Sequence, residues 1–408
     1  MKRYQWMGIM LSLVLLLCSC GTDKEVEKKA GESTSTPSAT ASVTPLISED
    51  EAFSEAEKIV KTMTIEQKVG QMFLVDLLQL DASPSVDGTA YKATESMKQA
   101  IIDYHLGGVY FTKENIKSQK QTKKLVQNLQ ASVVSGSALY VAVEEDGGGE
   151  NSISAKVEDL KDTGYVTPKE MGQNMTANQI YESGKTIAGE LTKIGINLNL
   201  APVADLASAQ NPSYAMRCLG SDADGVADLL DDFVSGMREG GLSVTLKTFP
   251  GIGNVSADVT ESIAENTDSL MTIRDTNFVP YASGIQAGAD CVMVSNAAYS
   301  KLTVKKVPAF MSQDIVTKLL REELGFDGIV MTSPLNDNVI ENNYTNEFAV
   351  VEAVKAGCDL IVLPGNFKEC YEALITAVEE GRIDEKVINT SVRRILQNKI
   401  QRGILVLE

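Results

Sequence analysis

The chain has 408 residues, 43% of them hydrophobic and 23% charged, which is enough apolar material for one large core or two ordinary ones and excludes wholesale disorder. Its 55 acidic residues outnumber 37 basic ones, for a formal net charge of −18. Such a surface repels nucleic-acid phosphates and anionic lipid headgroups, so neither is expected as a direct ligand.

In chain order, the first element is MKRYQWMGIMLSLVLLLCSC, in which Lys2 and Arg3 precede an apolar run too short for a membrane span and suited to an export signal. The run ends at Leu17-Cys18-Ser19-Cys20, which resembles a bacterial lipoprotein processing site. That resemblance implies a signal peptide over 1–19, lipid on Cys20 and attachment to the cell membrane on its extracytoplasmic side. A secretory signal with an incidental cysteine is the alternative, and both imply export. Residues 20–50 are rich in Ser, Thr, Pro and charge and predict a flexible tether. Beyond it, Cys218, Cys291, Cys358 and Cys370 are widely spaced with no CxxC pair, which predicts buried free thiols.

From 51 to 408 the pattern predicts a single domain. A capping box, Thr64-Ile65-Glu66-Gln67, opens a helix before the first strand. Eight short apolar, β-branched runs follow at 72–76, 107–112, 139–146, 196–206, 243–249, 291–297, 328–334 and 360–365. Amphipathic stretches of helical length separate most of them, three running into Gly195, Gly240 and Gly325, which suit helix ends. Eight strand-then-helix units predict a (β/α)8 barrel, with an open doubly wound sheet as the alternative. No dinucleotide fingerprint follows the first strand, and no GxxxxGK[ST] phosphate loop occurs.

A barrel builds its site at the carboxyl ends of its strands. The polar groups expected there are Glu144, Glu145 and Asp146, then Asp205, Lys247, Asp258, Asn296 and Ser333. The one histidine, His105, precedes strand two at the opposite end and reads as structural. Without HExxH or another His-containing ligand pair, and with EEDGGGE at 144–150 reading as a solvated loop, neither a metal nor a cofactor is expected.

The runs VGQMFLV, VAVEEDGG, GINLNLAPVADL, MRCLGSD, LKTFPGIG, GFDGIVMTS and AGCDLIVLPG, in this order, resemble glycoside hydrolase family 3, in particular its bacterial β-N-acetylhexosaminidase branch. The resemblance implies a (β/α)8 barrel that cleaves β-linked N-acetylglucosamine with retention, through a glycosyl-enzyme intermediate. In that branch strand five ends in Lys-His-Phe-Pro-Gly-His-Gly, and an Asp-Ser-His group follows whose histidine is the general acid/base. Lys247 and Phe249-Pro250-Gly251 match, but Thr248 and Ile252 replace the two histidines, Asp258 falls at the aspartate and Thr260 at the catalytic histidine. Ser333 stands at the place of the nucleophilic aspartate. Arg217 and Asp205 match sugar-binding positions or their neighbours, Glu144 replaces an aspartate, and Gly149 stands where an arginine is usual.

Retaining hydrolysis needs an anion at the anomeric carbon and a proton donor for the leaving oxygen. A serine at 333 and a threonine at 260 supply neither. The expectation is therefore a barrel lipoprotein that binds amino sugars or muropeptides of the cell wall, or an envelope protein partner, with hydrolysis impaired or lost. The alternatives are an active hydrolase using relocated carboxylates, drawn from Asp258, Asp337 and Glu341, and a structural surface protein without a ligand. Trp6 leaves with the signal, so any glycan-stacking platform must use Tyr or Phe.

Overall fold

The computed structural model describes residues 47–133, 137–147, 153 and 166–407. The signal segment, Cys20, Gly149 and nearly all of the tether lie outside these residues. Within them every predicted strand is present. They are β1 Phe73–Asp76, β2 Gly108–Tyr110, β3 Tyr140–Val143, β4 Leu198–Asn199, β5 Ser243–Phe249, β6 Cys291–Val294, β7 Ile329–Thr332 and β8 Ile361–Val362. All neighbours pair in parallel in the order β8-β1-β2-β3-β4-β5-β6-β7. A parallel bridge between Met331 and Leu360 nearly closes the ring. Barrel strands are covered on both faces, by helices outside and by packed side chains inside, which is why they read as continuous apolar runs.

The helices start where the sequence signals them. Thr64 and Gln67 form the reciprocal capping box of helix Ile65–Gln71. Thr176 with Gln179 does the same for Ala177–Lys193, and the Asp222 side chain caps Ala223–Glu239. Gly195 and Gly325 adopt positive φ, of 92° and 70°, just past their helices. Gly240 keeps right-handed geometry, and the left-handed position after that helix belongs to Gly241 at φ 99°.

Helix Glu49–Thr62 begins inside the stretch expected to be tether. Ser48 caps it, and Ala52, Ala56 and Val60, at four-residue spacing, face the terminal helix Glu385–Gln401. Two alanines and a valine among charges give a faint periodic signal, which is why composition alone assigns its first turn to the tether. All four cysteines from Cys218 onward are buried and free. His105 sits just before β2, where its carbonyl accepts from Gln71 Nε2 at 2.6 Å.

Two features position the mouth of the barrel. The long strand β5 continues past the ladder of β4, which ends at Asn199, short of the predicted run to 206. Irregular contacts replace the ladder, a bridge between Val203 and Lys247 and a bond from Ala204 N–H to the Lys247 carbonyl at 2.8 Å. A separate two-stranded parallel pair, Glu265–Asn266 with Ala298–Tyr299, ties the loop after β5 to the loop after β6.

Candidate active site

Four side chains, from strand β5 and the segments after β3 and β4, meet at the carboxyl end of the strands. Lys247 Nζ lies 2.7 Å from Glu144 Oε1 and 2.8 Å from Asp146 Oδ1. Arg217 donates through Nε to Asp146 Oδ2 at 2.7 Å and through Nη2 to Glu144. Two cations and two carboxylates thus alternate in a neutral quartet. Its Lys247 side is sealed, with 3% of that side chain exposed, whereas Glu144 and Arg217 are 40% and 39% exposed. Burial alone would raise the Glu144 carboxyl, but Lys247 and then Arg217 outweigh it and hold it down at about 2. Burial pulls the Arg217 guanidinium down, and Asp146 and Glu144 together push it well above its ordinary value. The glutamate at 144, one methylene longer than aspartate, reaches both cations. Gly149, the other position where an arginine is usual, lies outside the described residues.

Asp205 does not join this quartet. It is 1% exposed, and both its oxygens are spent within the protein. Oδ2 accepts from Tyr214 Oη at 2.9 Å, Thr248 Oγ1 at 3.0 Å and Ile252 N at 3.1 Å. Oδ1 accepts from Tyr281 Oη at 2.9 Å and Thr248 N at 3.3 Å. The ligand role expected of Asp205 gives way to a positioning role, because a carboxylate with both oxygens occupied by internal donors has little left to offer a sugar. Burial raises the pKa of the Asp205 carboxyl, and these donors only partly counter that. Thr248 and Ile252, at the two positions where the resemblance implies histidine, are absorbed into this clamp.

The next turn is structural too. Gly251 has φ 116°, and a Cβ there would meet the Asn277 amide at 1.8 Å. Its carbonyl accepts from Tyr299 Oη at 2.9 Å, and Phe249 packs against Phe278 and Tyr281. Farther along, Thr260 donates from N and Oγ1 to Asp258 Oδ1 at 2.9 and 2.7 Å, so its hydroxyl is turned back onto its own loop. Ser333, 5% exposed, follows β7 and donates its N–H to the Val294 carbonyl at 2.9 Å.

Asp337, five residues after Thr332, is a second acidic group at the mouth. Asn296, 1% exposed at the end of β6, donates Nδ2 to Asp337 Oδ2 at 2.7 Å. Burial, then the negative Glu144 and Asp258, raise the Asp337 carboxyl to about 7 against the Asn296 donor. The sign is that of an acid whose folded form holds its proton more tightly than the unfolded chain. That stabilisation is complete below the ordinary carboxylate range near 4 and is lost as pH rises through 7. A shift of this size corresponds to about 4 kcal/mol, which partial exposure reduces to about 2 kcal/mol. Asp337→Asn is therefore expected to stabilise the protein by about 2 kcal/mol at pH 8 and to change nothing at pH 4. Urea titrations at the two pH values check this, and equal effects at both would contradict it.

Some of these partners have no strong sequence signature. Tyr214 lies three residues before Arg217 in the short helical turn Tyr214–Arg217, which brings its ring to 5.5 Å beneath the guanidinium. That spacing was the available signal. Tyr281 comes from a helix 76 residues beyond Asp205, and nothing local marks it.

The glycosyl hydrolase family 3 N terminal domain matches residues 64–398. The chain is similar to the Beta-hexosaminidase of Xylella fastidiosa (strain M23), 29% identical over 283 residues that cover 68% of this chain and 81% of that protein. It is also similar to Beta-hexosaminidase A of Pseudoalteromonas piscicida, 26% identical over 369 residues, 83% of this chain and 61% of that one. Among solved structures, the glycoside hydrolase family 3 β-N-acetylglucosaminidase from Paenibacillus sp. str. FPU-7 superposes with a TM-score of 0.75 at 29% identity, covering 85% of this chain and 64% of that one. The β-N-acetylhexosaminidase from Beutenbergia cavernae DSM 12333 gives 0.71 at 28% identity, covering 83% and 98%. The chain thus spans less than two thirds of the Pseudoalteromonas and Paenibacillus proteins. A match that begins at the Thr64 capping box, passes through all eight parallel strands and ends in the last helix makes this chain a member of glycoside hydrolase family 3.

Proposed function

We propose that the barrel mouth binds a β-linked N-acetylglucosamine residue or a related amino sugar of cell-wall glycans, and that hydrolysis by the two-step retaining route is impaired. The observation that carries the binding reading is the alternating quartet of Glu144, Arg217, Asp146 and Lys247 with its half-exposed edge. A sugar hydroxyl donates and accepts at once, so two neighbouring hydroxyls match a carboxylate beside a guanidinium. The relatives named for hexosaminidase and N-acetylglucosaminidase activity support an amino sugar as the occupant.

The impairment rests on Ser333 and Thr260. A neutral hydroxyl cannot offset an oxocarbenium-like charge as a carboxylate does, and Thr260 is already bonded to Asp258. Loss of acid/base groups alone typically lowers rates about 10²- to 10⁴-fold. The amino-terminal sequence supports export and a lipid on Cys20, which would tether the barrel to the membrane near its glycan; Cys20→Ala should then release the protein from the detergent phase.

Calorimetry with N-acetylglucosamine and muropeptides tests the binding reading. Saturable binding is expected, weakened about 10- to 100-fold by Lys247→Ala, the range set by charge-assisted hydrogen bonds. A covalent glycosyl adduct found by mass spectrometry would overturn the impaired-hydrolysis reading. One observation favours a second reading, a structural surface protein that contacts another envelope protein: the four charges of the quartet satisfy one another without a ligand. Absence of any sugar binding would leave that reading in place.

A further inference from the structure

We infer that Asn296 and Asp337 form a subsite for a charged amine, so that the mouth takes a de-N-acetylated glucosaminide in preference to an N-acetylated one. The inference rests on the amino-sugar reading of the mouth and names the form of the sugar. Two independent features point to it, an uncompensated carboxyl and a buried acceptor without a donor.

Strands β6 and β7 pair from Cys291 with Ile329 to Val294 with Thr332, which sets the segments after them side by side. Asn296, just past β6, donates Nδ2 to Asp337 Oδ2 at 2.7 Å. The Asp337 segment is in turn stitched to the loop after β5, where Val339 N–H donates to the Thr260 carbonyl at 2.8 Å and Asn338 Nδ2 to Glu261 Oε2 at 2.9 Å. The charged groups that bear on Asp337 most are Glu144, after β3, and Asp258 and Glu261, after β5, and all three are negative. The two cations of the mouth, Lys247 and Arg217, are already shared between Glu144 and Asp146. Among the described residues no ion pair reaches Asp337, Asp258 or Glu261, whose hydrogen bonds all come from neutral donors.

The second feature is Asn296 Oδ1. The residue is 1% exposed, and this oxygen has no hydrogen-bond partner among the described residues. An unmade bond at a buried acceptor is costly, and only a donor relieves it. Asp337 is half-buried, so its side chain is the part of the rim that can yield to let a donor in.

Such a pair calls for several donors carrying positive charge. An ammonium has three N–H donors and no acceptor, enough for the Asp337 carboxylate and Asn296 Oδ1 together, and its charge answers the surplus of carboxylates. An acetamido group brings one N–H, no charge and a carbonyl that would face those carboxylates. A carboxylated sugar is repelled at this position. A metal ion fits less well, because no group of three or more His, Cys, Asp or Glu side chains able to hold one occurs among the described residues. Asp337 keeps its proton below about 7, so an ammonium seated beside it at lower pH drives that proton into solvent as the sugar binds.

The test is calorimetry on the purified full chain with methyl β-glucosaminide and methyl β-N-acetylglucosaminide. At pH 7 the glucosaminide should bind about 10-fold tighter, the lower end of what charge-assisted bonds give. At pH 6, titrations in two buffers of different ionisation enthalpy should show about one proton released per glucosaminide bound and none for the N-acetylated sugar. Asp337→Asn should abolish the release and shrink the ratio of the two affinities to below about 3-fold, whereas a purely structural Asp337 would leave both unchanged. Equal affinities, tighter binding of the N-acetylated sugar, or glucosaminide binding without proton release overturns the inference and leaves the amino-sugar reading standing. Absence of binding by either sugar removes the two together.

Discussion

Asp205→Ala is expected to cost about 4 kcal/mol of folding stability and to weaken sugar binding without touching the sugar. The substitution leaves the hydroxyls of Tyr214, Tyr281 and Thr248 and the N–H groups of Thr248 and Ile252 facing a small apolar gap. Each buried donor left unmade costs about 1–3 kcal/mol, and rotation of the three hydroxyls toward other acceptors recovers part of the sum. Because domains of this kind have about 5–15 kcal/mol in total, the loss is a large share of the whole. The effect reaches the site through one peptide: Thr248 follows Lys247, so loosening Thr248 frees the strand end that presents the ammonium to Glu144 and Asp146. Asp205→Asn keeps the shape and one acceptor oxygen, and the one tyrosine hydroxyl that faces the new NH2 can accept from it while a backbone N–H there loses its acceptor, so about 2 kcal/mol is expected. Urea unfolding and calorimetry on the three proteins check the order. A cost below about 1 kcal/mol for the alanine variant would show that the clamp does not hold the loop.

This clamp also marks where the sequence stops being informative. The eight strands are legible because covered parallel strands carry continuous apolar runs, and helix starts are legible because capping is a local contact between residues three apart. Replacement of histidine by Thr248 and Ile252 is visible in the sequence once the resemblance is drawn, but its consequence is not. Both residues turn into donors for a carboxylate 43 and 47 residues earlier, and only the meeting of β4 and β5 brings them together. The same limit applies to Asp337. Its place after strand seven suggests a carboxylate near the mouth, whereas the bond from Asn296, 41 residues away just past β6, is a tertiary fact with no sequence period. Glu144 and Asp146 lie two apart just past β3 and share the same two cations, a pairing that alternation along an extended chain allows. Lys247 could have paired with Asp205 or Glu144 on chain order alone, and it takes Glu144 because Asp205 is fully engaged with neutral donors.

At the opposite end of the barrel, Lys399→Met is expected to cost about 3 kcal/mol at pH 9 and measurably less at pH 6, with sugar affinity unchanged. Lys399 is 0% exposed and lies in the terminal helix Glu385–Gln401. Its ammonium donates to Gln71 Oε1 at 2.9 Å and to the carbonyls of Gly107 and Ala138 at 2.8 and 2.6 Å, over the Tyr140 ring at 4.8 Å. One side chain thus joins the last helix to the helix before β1 and to the starts of β2 and β3. Methionine fills nearly the same volume but cannot donate, so at pH 9, where the neutral amine has two N–H donors, two of the three buried acceptors lose a partner. Burial pushes the Lys399 ammonium down to about 7, while in the unfolded chain it keeps its ordinary high value. Between those two values the unfolded chain binds the extra proton, so native stability rises as pH climbs from about 7 toward 10. Methionine has no proton to bind and removes that rise, which makes the gap between the two proteins widen with pH. Denaturant titrations at pH 6 and pH 9 measure the gap directly. A gap that stays constant or narrows would mean that the three acceptors keep the ammonium charged throughout, and that burial does not set its proton affinity.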